Sequence, residues 1–219
     1  MVDDAIMELL MKFLEILGTV AFSISGAIEA MKKEMDILGV IVLGVVTAVG
    51  GGIIRDLVTG KIPPSAFQNP VCTEIAIGVA VAAFIAGVIL SKRQSERERA
   101  HWNTVLLISD AIGLGAFTIL GIRQAQQQLG NENLALLLFV GVVTGVGGGL
   151  MRDIFAGNIP YIFRKHVYAT ASIAGAVSYL FLSYIGYPQI AVIASLLLVL
   201  ILRLLAAHFQ WNLPRVHME

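Results

Sequence analysis

The sequence predicts an all-α integral membrane protein of seven transmembrane helices, built as two inverted three-helix repeats plus one C-terminal helix. Three observations predict it. The chain of 219 residues is 57% hydrophobic and only 14% charged, where soluble domains carry roughly 25% charged residues. Its apolar runs are long and separated by charged or turn residues. One of those runs recurs later in the chain with its charges and turn residues intact.

Composition sets the solvent. A mean hydropathy of +0.83 would expose large apolar patches in water, so lipid is the expected surroundings. Fifteen basic and fifteen acidic residues cancel, and without a basic excess no nucleic-acid partner is expected. The single cysteine, Cys72, rules out an intrachain disulfide and reads as a small buried apolar residue. The chain begins Met1-Val2-Asp3-Asp4, acidic where a secretory signal is basic, so the first apolar run is expected to stay as a mature helix.

Spanning the hydrocarbon core takes roughly 17 to 25 apolar residues. Such runs fall near 8–30, 37–58, 72–91, 103–122, 134–155, 166–185 and 188–207. Lys32-Lys33-Glu34 closes the first and Gly60-Lys61-Ile62-Pro63-Pro64 the second. The most polar segment, Lys92 to His101, follows the third, and Gln124 to Asn133 follows the fourth. Gly157-Asn158-Ile159-Pro160 and Arg164-Lys165-His166 part the fifth from the sixth, and Gly186-Tyr187-Pro188 turns into the seventh. These runs are continuously apolar and far longer than the roughly ten alternating residues of a barrel strand. A helix also satisfies its own backbone in lipid.

Loop cations set an expected orientation. With the N-terminus outside, the inner segments hold Lys32, Lys33, Lys92, Arg93, Arg97, Arg99, Arg164, Lys165 and Arg215, and the outer ones hold Lys12, Lys61 and Arg123. Arg55, Arg152 and Arg203 sit within helix ends. Nine against three favours an outside N-terminus, a cytoplasmic C-terminus and a place in the inner (plasma) membrane.

The repeat is the strongest signal. Residues 46–63 read VTAVGGGIIRDLVTGKIP and residues 143–160 read VTGVGGGLMRDIFAGNIP, with 11 of 18 positions identical at an offset of 97. Upstream, Ser25-Gly26-Ala27 resembles Leu114-Gly115-Ala116 at an offset of 89. The chain is thus read as one membrane domain over 1–219, with repeat 1 at about 8–91, repeat 2 at about 103–185 and an extra helix at about 188–207. Three helices per repeat is odd, so the second copy starts from the opposite face and is inverted, an architecture common among transporters. The seventh helix has no counterpart and is expected to pack on the outside of the bundle or at a subunit contact.

The repeat also carries the candidate functional residues. Gly50, Gly51 and Gly52, and again Gly147, Gly148 and Gly149, each cost roughly 1 kcal/mol against Ala in a helix interior. A kink or break there would free carbonyls, which only protein or a water-filled path can satisfy. The other reading is close helix packing. Arg55 and Arg152 lie three residues past each triplet and Asp56 and Asp153 follow directly. Adjacent helix residues do not face each other, so each Arg–Asp pair is expected to find partners elsewhere, either as structural ion pairs or as a charged gate or filter at each mouth. Thr47 and Thr144 precede the triplets by one turn and either line the path or bond back to the helix. Asp110 lies about 12 Å into the fourth run, where an ionisable group is a functional candidate by default. It would attract cations, accept a proton or pair with an arginine. Glu29 reads as an interfacial ion pair with Lys32 or Lys33. His101, His166, His208 and His217 are scattered at the membrane edges, and the chain holds no metal-spaced cluster, phosphate loop or nucleophile elbow. Neither an enzyme nor a bound cofactor is expected.

The repeated V-G-G-G-x-x-R-D, on a seven-helix plan with an outside N-terminus, resembles the trimeric intracellular cation (TRIC) channel family, whose bacterial relatives carry the name glycine transporter family. The resemblance covers about residues 8 to 207. It implies a homotrimer with a pore in each subunit, kinks at the two glycine triplets of the second and fifth helices, and a monovalent cation, K+ or Na+ and chiefly potassium, as the permeant species. Animal members add a basic lysine motif linked to phosphoinositide lipid. Here that region reads Gly-Gly-Ile-Ile-Arg-Asp, so lipid regulation does not carry over. A transporter of glycine or another small amino acid remains the alternative, with Arg55 or Arg152, or a half-helix N-terminus, for a carboxylate and Asp110 for an ammonium group.

Overall fold

Gly60, Gly130, Gly157 and Gly186 take positive φ just past the ends of four of the long helices, and apolar residues fill most of what lies between. In a computed structural model, residues 2–90, 96–131, 133–164 and 167–211 are described. They form α1 (Val2–Lys32), α2 (Ile37–Thr59), α3 (Ser65–Gln68), α4 (Val71–Leu90), α5 (Glu96–Leu129), α6 (Leu134–Phe155), α7 (Tyr161–Arg164), α8 (Ala169–Tyr184) and α9 (Pro188–His208), with no strand among the described residues. Lys92, Arg93, Lys165, His166, Arg215 and His217 of the charge and histidine readings lie outside the described residues, as do the side chains of Arg97, Arg99 and Arg164.

Five helices are long and apolar enough to cross a membrane: α2, α4, the Ala100–Leu129 part of α5, α6 and α9. Large apolar side chains such as Leu9, Phe13, Phe67, Phe139, Phe181 and Ile190 stand exposed around the bundle, as they do when lipid is the solvent. The protein is an all-helical, multi-pass membrane protein. Two of the seven expected runs differ in kind from these five. α1 has the length, 31 residues, but carries Glu8, Lys12, Glu15 and Glu29. α8 has the apolarity but only 16 residues, about 24 Å against a core of roughly 30 Å. The short helices α3 and α7 were not expected. Each follows a Gly-x-Ile-Pro turn.

Local chemistry repeats at the helix ends. The side chain of Asp36 accepts from Gly39 N to cap α2, and Asn133, 97 residues on, accepts from Leu136 N to cap α6. Both helices stop in a Schellman-type turn. Gly60 and Gly157 take positive φ (79° and 69°), and the next residues, Lys61 and Asn158, donate their backbone N–H to Asp56 O and Asp153 O.

α5 is the central helix. Its apolar window is 78% buried, against 17% for α4 at the periphery. α1 and α5 meet through Phe22 and Phe117, whose rings stack with centroids 5.3 Å apart. Around them the contacts are reciprocal. Gly18 makes room for Phe117, and Gly113 for Phe22. Gly26 abuts Thr47 of α2, and Gly121 abuts Thr144 of α6. Such exchange of partners marks a two-fold relation. It also corrects the upstream match. The equivalent of Gly26 is Gly121, at offset 95, whereas Gly115 faces Leu196 and Val199 of α9. At offset 95, residues 17–30 and 112–125 share Gly, Ala, Phe, Ile, Gly and Ala in register.

Candidate functional site

The two glycine triplets bring α2 and α6 together. A Cβ on Gly51 would run into the carbonyl oxygen of Thr144, and one on Gly148 into that of Thr47. A Cβ on Gly147 would stand 3.0 Å from Gly51 Cα. Backbone therefore lies on backbone, which only glycine permits. The triplets do not behave alike across their length. Gly50 faces Met151, Gly149 faces the Tyr168 hydroxyl, and Gly52 has only the Arg55 guanidinium at ordinary contact. Both helices run unbroken through their triplets, so the freed carbonyls expected at a break are not there. Glycine's helix penalty is offset by the packing it allows. Thr47 and Thr144 bond back to the carbonyls of Leu43 and Val140, each at 2.6 Å, which satisfies their hydroxyls within the helix.

The Arg–Asp pairs correct a second expectation. Arg55 Nε donates to Asp56 Oδ1 at 2.8 Å, and Arg152 Nε donates to Asp153 Oδ1 at 2.9 Å. Sequence neighbours do pair, because an arginine is long enough to fold back along the helix, whereas the facing rule is drawn from Cβ positions. The second oxygen of each aspartate accepts the N–H that opens the following short helix, Ser65 N to Asp56 and Tyr161 N to Asp153. Each aspartate thus ties its arginine to the returning chain.

From there the halves diverge. Among the described residues, Arg55 has Asp56 as its ion-pair partner. Arg152, wholly buried, also donates Nη1 to Asp110 Oδ1 at 2.6 Å and to Ser25 Oγ on α1. Arg203 of α9 reaches the other oxygen of Asp110 at 3.3 Å, and the Tyr168 hydroxyl donates to Oδ1 at 3.3 Å. Arg203 lies over the Tyr168 ring at 4.6 Å and Arg152 over the Tyr161 ring at 5.0 Å, both within cation–π range. Asp110 is 0% exposed, Arg203 1% and Asp153 1%. Two arginines face two aspartates, so the cluster is balanced and Asp110 offers no free charge to a cation as it stands. Among the described residues, Nε and Nη1 of Arg203 have no hydrogen-bond partner.

The structure brings Asp110, Arg152 and Asp153 together and leaves Arg55 and Asp56 apart from them. Sequence reasoning missed Ser25, Tyr161, Tyr168 and above all Arg203. A lone arginine inside an apolar helix is the same signal that picked out Asp110. α9, read from sequence as packing on the outside of the bundle or at a subunit contact, also reaches the cluster through Arg203. α9 packs on α5 and α8 and sends a charge into the centre. Among the described residues no group of His, Cys, Asp or Glu has metal-binding geometry.

Comparison with known proteins adds an independent line. A family model described as "Glycine transporter" matches residues 12–87 and 107–184. The UPF0126 inner membrane protein YadS of Escherichia coli K12 is 36% identical over 208 residues, covering 94% of this chain and 96% of its own. Two solved structures are similar over nearly the whole fold. One, described as "Structural basis for conductance through TRIC cation channels", is 40% identical with a TM-score of 0.79, covering 95% of this chain and 98% of its own. The other, the TRIC trimeric intracellular cation channel orthologue from Rhodobacter sphaeroides, is 33% identical with a TM-score of 0.81, covering 92% and 98%.

Proposed function

From its place in the glycine transporter family, to which this chain belongs, we propose that it is a homotrimeric channel for monovalent cations, chiefly potassium, with a pore in each subunit. The observation that carries this reading is the likeness to a TRIC cation channel at 40% identity over 95% of the chain. The second solved relative, a trimeric channel by its description, supports the trimer.

The helices support seven crossings in two inverted repeats. α1 is long enough to cross, and α8 with the residues before it completes the second set of three. Gln128 at the end of α5 donates to Thr59 O at the end of α2, and Asn158 past the end of α6 donates to Glu29 near the end of α1. The ends of α1 and α6 therefore share one face of the bundle, and the ends of α2 and α5 share another. α1 and its counterpart α5 then end on opposite sides, which is what inversion requires.

In this reading the path runs beside the α2–α6 contact that Gly50 to Gly52, Thr47, Gly147 to Gly149 and Thr144 build, with Arg55–Asp56 at one mouth and Arg152–Asp153 at the other. A cation passes Arg152 only when that guanidinium swings aside. Asp110 is the residue that holds it. Asp110 thus acts as the anchor of a gate and not as a cation-binding filter. The N-terminus lies outside and the Arg152 mouth faces the cytoplasm of the inner membrane.

The test uses one batch of purified protein in liposomes, assayed in parallel for potassium flux and for uptake of labelled glycine. Potassium flux without glycine, and no glycine accumulation, is the expected result. Saturable glycine uptake with little independent potassium flux would overturn the channel in favour of a transporter.

A further inference from the structure

The two mouths differ in one respect that the repeat makes easy to see. The α2 and α6 turns are built alike, so Lys61 and Asn158 leave their helices in the same way, 97 residues apart. Lys61 stands exposed, and its counterpart does not. The Asn158 side chain crosses to α1 and donates to Glu29 Oε1 at 2.6 Å, joining residues 129 apart in sequence. Glu29 is 4% exposed, and its other oxygen takes Lys32 at 3.4 Å. In the second half the position equivalent to Glu29, at offset 95, is Gln124 on α5.

Behind this contact lies the whole charged cluster. Ser25, one turn before Glu29 on α1, accepts from Arg152. Asp153, five residues before Asn158, accepts from the N–H of Tyr161, whose ring covers Arg152. The Glu29–Asn158 bond therefore ties α1 to the loop between α6 and α7 across the Arg152 mouth. Among the described residues α5 makes no such bond to Lys61; Gln128 of α5 donates instead to the backbone oxygen of Thr59 at the end of α2.

We propose that Glu29 and Asn158 are positioning residues for conduction, a latch that keeps Arg152 seated and makes this the closed mouth, while at the Arg55 mouth the same position is the exposed Lys61. The proposal rests on the channel reading for its consequence in flux, but not for the latch itself. One charged hydrogen bond is strong enough to hold a small loop and weak enough to be broken thermally. Substitution at residue 158 tunes it in both directions. Asn158→Asp sets two carboxylates against each other and opens the latch. Asn158→Lys installs the residue of the first half opposite Glu29 and tightens it. Glu29→Gln added to Asn158→Lys removes that tightening.

The experiment reads access and flux together. In a Cys72→Ala background, Ser25→Cys places a thiol directly behind the latch, and its labelling by a membrane-impermeant thiol reagent is timed in proteoliposomes. Asn158→Asp is expected to speed labelling about tenfold, Asn158→Lys to slow it, and the Glu29→Gln addition to undo the slowing. Potassium flux follows the same order. A merely structural tether would slow or speed nothing in opposite directions. Equal labelling in all four proteins overturns the latch even if potassium flux is normal. The expected order of labelling with no potassium flux in any protein upholds the latch and overturns the channel reading.

Discussion

Asp110 is where a single residue decides most. It accepts from Arg152, Arg203 and Tyr168 in a site with no exposed surface. Breaking one partner of a buried ion pair costs about 3–5 kcal/mol, because the remaining charges stay buried and uncompensated. Asp110→Asn leaves two guanidiniums facing Asp153 alone. From sequence, this change is expected only to alter conductance or selectivity, with assembly intact. With the cluster in view, the expected outcome is a large fall in the thermal unfolding midpoint in detergent as well. Adding Arg203→Met restores charge balance, so the double variant is expected to be more stable than the two single effects predict when summed. Additive losses in that cycle would mean that the three side chains do not act as a unit. The sequence flagged Asp110 through depth alone. It did not yield the partners, because Arg203 lies 93 residues away on a helix outside the repeat, and no spacing rule connects them.

The element that matters most is the pair α2 and α6, and here local rules and packing pull apart. Three consecutive glycines lower helix propensity, which favours a break on intrinsic grounds. In the fold, Gly51 and Gly148 let two backbones touch, and the helices persist. The glycines of one triplet are therefore not equivalent. Gly51→Ala is expected to destabilise by about 1–3 kcal/mol, the usual cost of forcing atoms into a packed contact. Gly52→Ala meets its nearest neighbour, Arg55 Nη2, at 3.6 Å. It should be neutral or stabilising by up to about 1 kcal/mol from helix propensity. Denaturation of the two variants side by side in the same detergent checks this. Equal losses at both positions would mean that the triplet acts as a flexible unit and not as a packing surface. The duplication itself was legible, because charges and turn residues recur at fixed spacing. Its first helix was misaligned, since Ser-Gly-Ala against Leu-Gly-Ala is a weak match in an apolar background. The register Gly18, Ala21, Phe22, Ile24, Gly26 against Gly113, Ala116, Phe117, Ile119, Gly121 held the better signal. α3 and α7 are four-residue helices, too short to produce a hydrophobic period.

At the scale of the whole molecule, the proposed inversion is the property from which the rest follows. If α2 and α6 were parallel copies, the two Arg–Asp mouths would open on one side and a single face would carry both. If they are inverted, each membrane face carries one mouth, and a path between the halves must pass both arginines in turn. The reciprocal contacts Gly18–Phe117 and Gly113–Phe22, and Gly51–Thr144 and Gly148–Thr47, fit a two-fold axis between the halves. The pairing of helix ends through Gln128–Thr59 and Asn158–Glu29 fits the proposed axis in the membrane plane. Lys61 and Asn158 give a direct measurement, since they are the same position of one motif, just past the same turn. In a Cys72→Ala background, Lys61→Cys and Asn158→Cys are each expressed in cells and treated with a membrane-impermeant thiol reagent, before and after the membrane is permeabilised. Lys61→Cys is expected to react in intact cells, and Asn158→Cys only after permeabilisation, given an outside N-terminus. The opposite assignment would keep the inversion and reverse the orientation drawn from the loop cations. Labelling of both from one side would make the repeats parallel. The Arg152 cluster would then be a structural knot on the same face as Arg55, and no path crossing the bundle could use the two mouths in series.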